Sequence, residues 1–244
     1  MPRTFVAHGI ATLPEAAARH VQVLRLQPGD AITLFNGDDG ADWPGEIVRI
    51  GRREVDVRLG AALPVDRELA DDVTIALGVP ANDRMDALVE KAGELGATAI
   101  QPLLTERSVV RLSGARADAR RARWQAVAAA ASEQCGRARV TAVLPLHSLA
   151  SWLALAREAS PERRLVVLSL AASALAPAQV FRVGSTRRSI CVLSGPEGGL
   201  TAAEEASAVA AGFVPVGLGP RTLRADTAPL ALLAWIAGSA VAER

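Results

Sequence analysis

Cys191-Val192-Leu193-Ser194-Gly195-Pro196-Glu197-Gly198-Gly199-Leu200 is a short apolar run that breaks into a glycine-rich turn. Val216-Gly217-Leu218-Gly219-Pro220-Arg221-Thr222-Leu223-Arg224-Ala225-Asp226-Thr227-Ala228 repeats the pattern further along. Each reads as a strand, a loop and the start of a helix. Thr201-Ala202-Ala203-Glu204 has the residues of a capping box, which starts the helix after the first loop. Glycine serves where backbone must approach a ligand closely or take a positive φ, and ligands of open α/β sheets bind at the carboxyl ends of strands. The two loops therefore predict one site at one edge of a sheet.

Working outward, strands alternate with helices from Val73 onward, as in an α/β domain. Strands are predicted at Val73–Val79, Ala99–Leu104, Val140–Leu144, Leu165–Leu170, Ile190–Leu193 and Phe213–Leu218. A helix over Asp83–Leu95 presents Met85, Leu88, Val89, Ala92 and Leu95 on one face and stops at Gly96, and Thr227–Val241 forms a last helix. Before residue 70 the chain changes character. Ala31–Phe35 and the hairpin Gly45–Ile50, Gly51-Arg52-Arg53, Glu54–Leu59 read as strands, and Pro14–Leu26 as a helix. Short strands with one helix suggest a small β-barrel, joined through the linker Leu63–Glu68. The expected domains are 1–70 and 71–244.

Composition narrows the chemistry. Half of the 244 residues are apolar, enough for a sizeable core. Cys135 and Cys191 are far apart, so neither a disulfide framework nor a cysteine metal site is expected, which fits a reducing cytoplasm. The amino terminus lacks the apolar run of a signal peptide, and no apolar stretch is long enough to span a bilayer. A net charge of +1 excludes a globally basic nucleic-acid binder. Locally, Arg107, Arg111, Arg116, Arg120, Arg121, Arg123, Arg137 and Arg139 face only Asp118 and Glu133, which suits an RNA surface. A solvated helix in an arginine-for-lysine proteome gives the same pattern, because Lys91 is the only lysine. No P-loop, nucleophile elbow or histidine cluster is present, and with no tyrosine a base-stacking platform is not expected.

The glycine loops, together with Asp83-Arg84-Met85, Glu90–Gly96, Glu106–Val110, Glu133–Arg137 and Arg19–Asp30, resemble the RsmE-type RNA methyltransferases of the SPOUT superfamily in order along nearly the whole chain. The resemblance implies a PUA-like β-barrel followed by an α/β domain tied in a trefoil knot. It also implies S-adenosylmethionine as methyl donor, no metal, and methylation of N3 of one uridine in 16S ribosomal RNA of the small subunit. Physical reasoning alone would bet against a knot. The cofactor residues it implies are Leu168, Ser169, Ser194, Gly195, Pro196, Glu197, Gly198, Leu218, Gly219, Leu223, Arg224 and Thr227.

For the chemistry, Arg224 is the candidate to stabilise charge building on the uracil, with Asp226 or Glu197 as proton acceptor. Asp226 also stands where a helix N-cap is needed. The family usually reads Arg-Thr-Glu-Thr-Ala where this chain has Arg224-Ala225-Asp226-Thr227-Ala228. The loop after Leu168 lacks the relatives' His-Pro-Glu-Ala pattern, so contacts there are expected from backbone. Arg3, Arg19, His20, Arg25 and Arg107 are the expected RNA contacts, and the apolar last helix (Leu230, Leu232, Leu233, Trp235, Ile236) suggests a homodimer. Two other classes remain open: a SPOUT ribose 2′-O methyltransferase on transfer or ribosomal RNA, and a non-catalytic RNA-binding protein.

Overall fold

The computed structural model describes residues 5–81, 83–158, 163–181 and 188–241. Arg3 lies outside them. The chain divides into two units. The first is Met1–Arg67 together with Gly136–Arg139, and the second holds Glu68–Cys135 and Val140–Arg244.

The first unit is antiparallel. Strands β1 (Ile10–Thr12), β2 (Ala31–Leu34), β3 (Ala41–Ile50), β4 (Val55–Leu59) and β5 (Leu63–Pro64) pair in the order β1-β4-β3-β2, with β5 also on β3. The sequence pattern suggests a small β-barrel, and among the described residues its ladder does not close on itself. A register shift between Ile47 and Arg49 marks a bulge in β3, the device that bends a long strand. Helix α1 (Glu15–Val23) packs Ala18 and Val21 with Trp43, Ile47, Val55 and Val57. It ends earlier than the sequence suggests, because Arg25 takes a left-handed φ of 57° and turns the chain. Leu63 and Pro64, expected in the linker, pair instead with Asp42 and Ala41. Gly136–Arg139 belongs with this unit through side-chain to carbonyl bonds. Arg139 donates to the Asp38 carbonyl at 2.6 Å and Arg67 to the Gly136 carbonyl at 2.6 Å. A single cut after residue 70 has no place for that return.

The second unit is a parallel sheet covered on both faces. Its elements are β6 (Asp72–Gly78), α2 (Arg84–Glu94), β7 (Ala99–Leu104), α3 (Gly114–Cys135), β8 (Ala142–Val143), β9 (His147–Ser148), α4 (Leu149–Glu158), β10 (Arg164–Leu168), α5 (Pro177–Val180), β11 (Ser189–Ser194), α6 (Ala202–Ala210), β12 (Val214–Val216) and α7 (Thr227–Val241). The strand order is β12-β10-β11-β6-β7-β8, with β9 also on β7. Alternation along the strands sorts the core. Val73, Ile75, Leu77, Val166 and Val192 face the layer of α2, α3 and α7, while Ala76, Val167, Cys191 and Leu193 face α4 and α6. Burial pushes the Cys191 thiol up to about 11, against a smaller opposing influence of the Arg163 charge.

Three predicted strands are shorter than their apolar runs. β8 keeps only Ala142–Val143, because the chain then shifts to pair as β9 with the end of β7. β10 stops at Leu168, where the Ser169 hydroxyl donates to Glu205 at 2.5 Å and accepts the Ala171 N–H at 3.0 Å. β12 stops at Val216, before the glycine turn. The last helix covers much of its own apolar surface: Leu232, Leu233 and Ile236 are buried, leaving Leu230 and Trp235 half-buried.

Candidate active site

Three neighbouring parallel strands end level with one another. Leu168 of β10 stands beside Val216 of β12, Val167 beside Leu193 of β11, and Ser194 of β11 beside Leu77 of β6. The loops that leave them, at 169–176, 195–201 and 217–226, therefore open on the same edge. Together they line a cleft of about 520 Å³, in the range of small-molecule sites. Leu168, Leu170, Leu200, Val216, Leu218 and Leu223 give apolar walls, and Ser169, Ser194, Thr222, Glu197, Arg84, Arg221 and Arg224 are the polar side chains.

Close packing shapes the first loop. A Cβ on Gly195 would stand 2.6 Å from backbone atoms of Gly199 and Leu200, and one on Gly78 would stand 2.6 Å from the Pro196 ring. Gly199 and Gly219 are required for a different reason. Their φ angles are 68° and 94°, with nothing near a Cβ.

Polar anchors hold the loop to elements distant in sequence. Glu197 accepts the Ala81 N–H at 2.9 Å and pairs with Arg84 at 3.6 Å. Arg107 donates to the Gly198 carbonyl at 2.7 Å. Glu204, buried at the start of α6, accepts the Glu106 N–H at 2.8 Å and the Thr201 N–H at 2.9 Å, while Thr201 Oγ1 accepts the Glu204 N–H at 3.2 Å. The capping box read from the sequence is thus formed, and it also clamps the segment after β7.

Of the expected cofactor residues, Leu168, Ser169, Ser194, Gly195, Pro196, Glu197, Gly198, Leu218, Leu223 and Arg224 line the cleft. Gly219 and Thr227 do not; Gly219 lines a neighbouring hollow that shares Ser169, Leu170 and Thr222 with the cleft. The Arg224 side chain is exposed and makes no hydrogen bond among the described residues, while its carbonyl accepts the Thr227 and Ala228 N–H groups. Asp226 is absent from the cleft wall, and its Oδ1 is buried without a partner. It does not cap α7, and the reason is chemical. The Ala228 N–H already goes to Arg224, and the next residue, Pro229, has no N–H to offer. Arg107, expected to face RNA phosphates, is exposed and donates through Nη1 to the Gly198 carbonyl of the glycine loop. Arg19, His20 and Arg25 are exposed on the first unit. Arg84, Arg221 and Thr222 were not foreseen in the cleft. The only sequence signal for Arg84 was its place in the Asp83-Arg84-Met85 motif.

Comparison with known proteins decides the family. A family model described as an RNA methyltransferase domain matches residues 67–237, and one described as an RNA methyltransferase PUA domain matches residues 13–60. The chain belongs to this RNA methyltransferase family. Among the family's curated members, the ribosomal RNA small subunit methyltransferase E of Bacillus subtilis is 34% identical over 226 residues, covering 88% of this chain and 84% of the relative. That of Synechocystis is 31% identical, covering 95% and 74%. The ribosomal RNA small subunit methyltransferase E of Neisseria gonorrhoeae, solved bound to S-adenosylmethionine, superposes with a TM-score of 0.85 at 36% identity over 97% of this chain and 94% of that one. A putative methyltransferase of Legionella pneumophila in complex with the same cofactor gives 0.87 at 28% identity over 98% and 95%. The cleft at the ends of β10, β11 and β12 is the candidate site of this chain, and its charged members are Arg84, Glu197, Arg221 and Arg224.

Proposed function

We infer that this chain transfers a methyl group from S-adenosylmethionine to RNA of the small ribosomal subunit, at N3 of one uridine. The observation that carries the reading is the convergence of the two glycine-rich loops and Arg224 on a single cleft at the carboxyl edge of the sheet. The residues present fit the cofactor. Leucine side chains suit an adenine ring, the exposed loop backbone and the Ser169 and Ser194 hydroxyls suit ribose and ammonium groups, and Arg221 or Arg224 suits a carboxylate. When bound, the cofactor supplies an electrophilic methyl group on a sulfonium.

The chain's own part is to position and to stabilise charge. Arg224 brings a permanently charged guanidinium with no competing bond, able to meet negative charge as the uracil loses its N3 proton. Glu197 lines the cleft, yet the Ala81 N–H and Arg84 hold it as an anchor of the loop. Asp226 lies away from the cleft wall. With Glu197 held as an anchor and Asp226 off the cleft wall, we assign the proton to solvent and the main electrostatic role to Arg224.

Three finer features complete the proposal. A trefoil knot is supported by the tight fold of 195–200 on itself and by the pairing of Leu175 with Val216 next to the second loop. Arg19, His20 and Arg25 on the first unit are proposed to hold RNA phosphates. A homodimer through α7 is supported by half-buried Leu230 and Trp235 and would appear in light scattering at micromolar concentration. No helix among the described residues is long and apolar enough to cross a membrane, in keeping with work on ribosomal RNA in the cytoplasm.

The test is mass spectrometry of nucleosides from small ribosomal subunits incubated with the protein and S-adenosylmethionine. 3-Methyluridine is the expected product. A ribose-methylated nucleoside would move the reaction to the 2′-oxygen. RNA binding with no heat of cofactor binding in calorimetry would make the chain an inert binder.

A further inference from the structure

Helix α3 reaches past its neighbour α2 at the end nearest the cleft. Arg123 of α3 bonds Asp86 of α2 through Nε at 2.8 Å, and Gly93 of α2 lies against Ala131 of α3. The two helices therefore run side by side in the same direction. Nine residues of α3 precede Arg123 and two of α2 precede Asp86 (123 − 114 and 86 − 84). At about 1.5 Å per residue, α3 projects roughly 10 Å beyond the first turn of α2. Arg84, on that first turn, lines the cleft. The segment leading into α3 begins at the cleft too, because Arg107 holds the Gly198 carbonyl.

This projecting rim is basic. Arg111, Arg116 and Arg120 are exposed and enter no ion pair or hydrogen bond among the described residues. Their neighbours are engaged elsewhere, Arg121 on the Val143 carbonyl and Arg123 on Asp86. Arg116 and Arg120 stand four apart on one helix face, while Asp118, two from each, points away from them. Glu106, at the foot of the segment, and Asp83, 3.9 Å from Arg123, are exposed carboxylates nearby.

We propose that Arg111, Arg116 and Arg120 form a phosphate-binding rim that grips the RNA backbone flanking the target nucleotide and feeds that nucleotide to the cofactor cleft. The proposal rests on the RNA methyltransferase reading. Arginine suits the partner because its planar fork pairs with phosphate in two bonds and stays charged.

The experiment uses the full chain and small ribosomal subunits. A triple variant, Arg111→Ala, Arg116→Ala and Arg120→Ala, keeps helix propensity at the two helical positions. An Arg164→Ala variant, at the opposite edge of the sheet where β10 begins, serves as control. Binding is followed from 50 to 200 mM salt. The triple variant should flatten the slope of log affinity against log salt by about 2, roughly 0.7 per lost phosphate contact. It should raise KM for subunits while S-adenosylmethionine affinity stays at the parental value, which also reports intact folding. An unchanged salt slope in the triple variant, or an equal loss in Arg164→Ala, overturns the rim. If the parental protein itself fails to bind subunits, the RNA reading falls, and the rim with it.

Discussion

Arg107→Ala separates two roles that sequence and structure assign differently. If the side chain faced RNA, its loss would weaken RNA binding and flatten the salt dependence. In the structure it donates to the Gly198 carbonyl at 2.7 Å, with a longer contact of 3.4 Å to the Leu200 carbonyl. A hydrogen bond to a charged group contributes about 1.5–3 kcal/mol when protected from water. Arg107 is exposed, so the low end applies, and we take about 1–1.5 kcal/mol. That energy holds the loop in its ligand-ready shape, so the freed loop should bind S-adenosylmethionine about 5- to 12-fold more weakly. Isothermal calorimetry measures the cofactor constant, and salt titration of subunit binding measures the RNA side. Turnover at saturating cofactor should remain within a few-fold of the parent. Arg107→Lys, which keeps the charge and one donor, should recover part of the cofactor affinity. Unaltered cofactor binding combined with a flattened salt slope would refute the anchoring role and return Arg107 to the RNA surface.

Arg224→Ala should lower turnover by about 10²–10³ with little change in melting temperature, as for removal of a donor aimed at developing charge; single-turnover methylation checks it. Thr201→Ala removes a formed capping bond and should cost about 1 kcal/mol, or roughly 2–4 °C in calorimetric melting. Asp226→Ala removes no such bond, so it should leave the melting temperature unlowered; a drop as large as that of Thr201→Ala would show a cap that the geometry denies. Cys191, with its thiol raised from the ordinary 9.0 to about 11 by burial, should resist Ellman's reagent at pH 8 in the native protein. The unfolded chain releases that proton first, so the stability Cys191 confers is whole below pH 9 and is lost as pH climbs through 11. Urea midpoints across that window should fall less steeply in Cys191→Val.

Periodicity read well wherever burial was local. The near-continuous apolar runs Val73–Leu77 and Ile190–Leu193 mark strands buried on both faces, and Met85, Leu88, Val89 and Ala92 mark the inner face of α2. The glycine loops point to the edge where the cleft lies, because φ and close approach restrict residue type directly. What escaped the sequence was fixed by long-range pairing. Glu197 meets Ala81 across 116 positions and Arg107 meets Gly198 across 91, and no spacing rule reports such contacts. Of the two roles its position allows, proton acceptor or helix cap, Asp226 does not fill the cap, because Pro229 removes the donor. The strand at Ile10–Thr12 was missed for a similar reason. It is short, half open to solvent, and exists by pairing with Val57 and its neighbours.

The return of Gly136–Arg139 to the first unit bears on how the chain is made. Arg139 sits against Gly40 and holds the Asp38 carbonyl, and Gly136 receives Arg67. The amino-terminal unit is therefore missing a piece until synthesis has passed residue 139, 72 residues after Arg67 (139 − 67). At about 5–20 residues per second, that is a wait of roughly 4–14 seconds. Through that interval the Asp38 carbonyl lacks its Arg139 donor, and Arg67 can meet Asp42 but not the Gly136 carbonyl. The segment that completes the unit follows directly on α3, so the nascent α3 must emerge before the unit ahead of it can close.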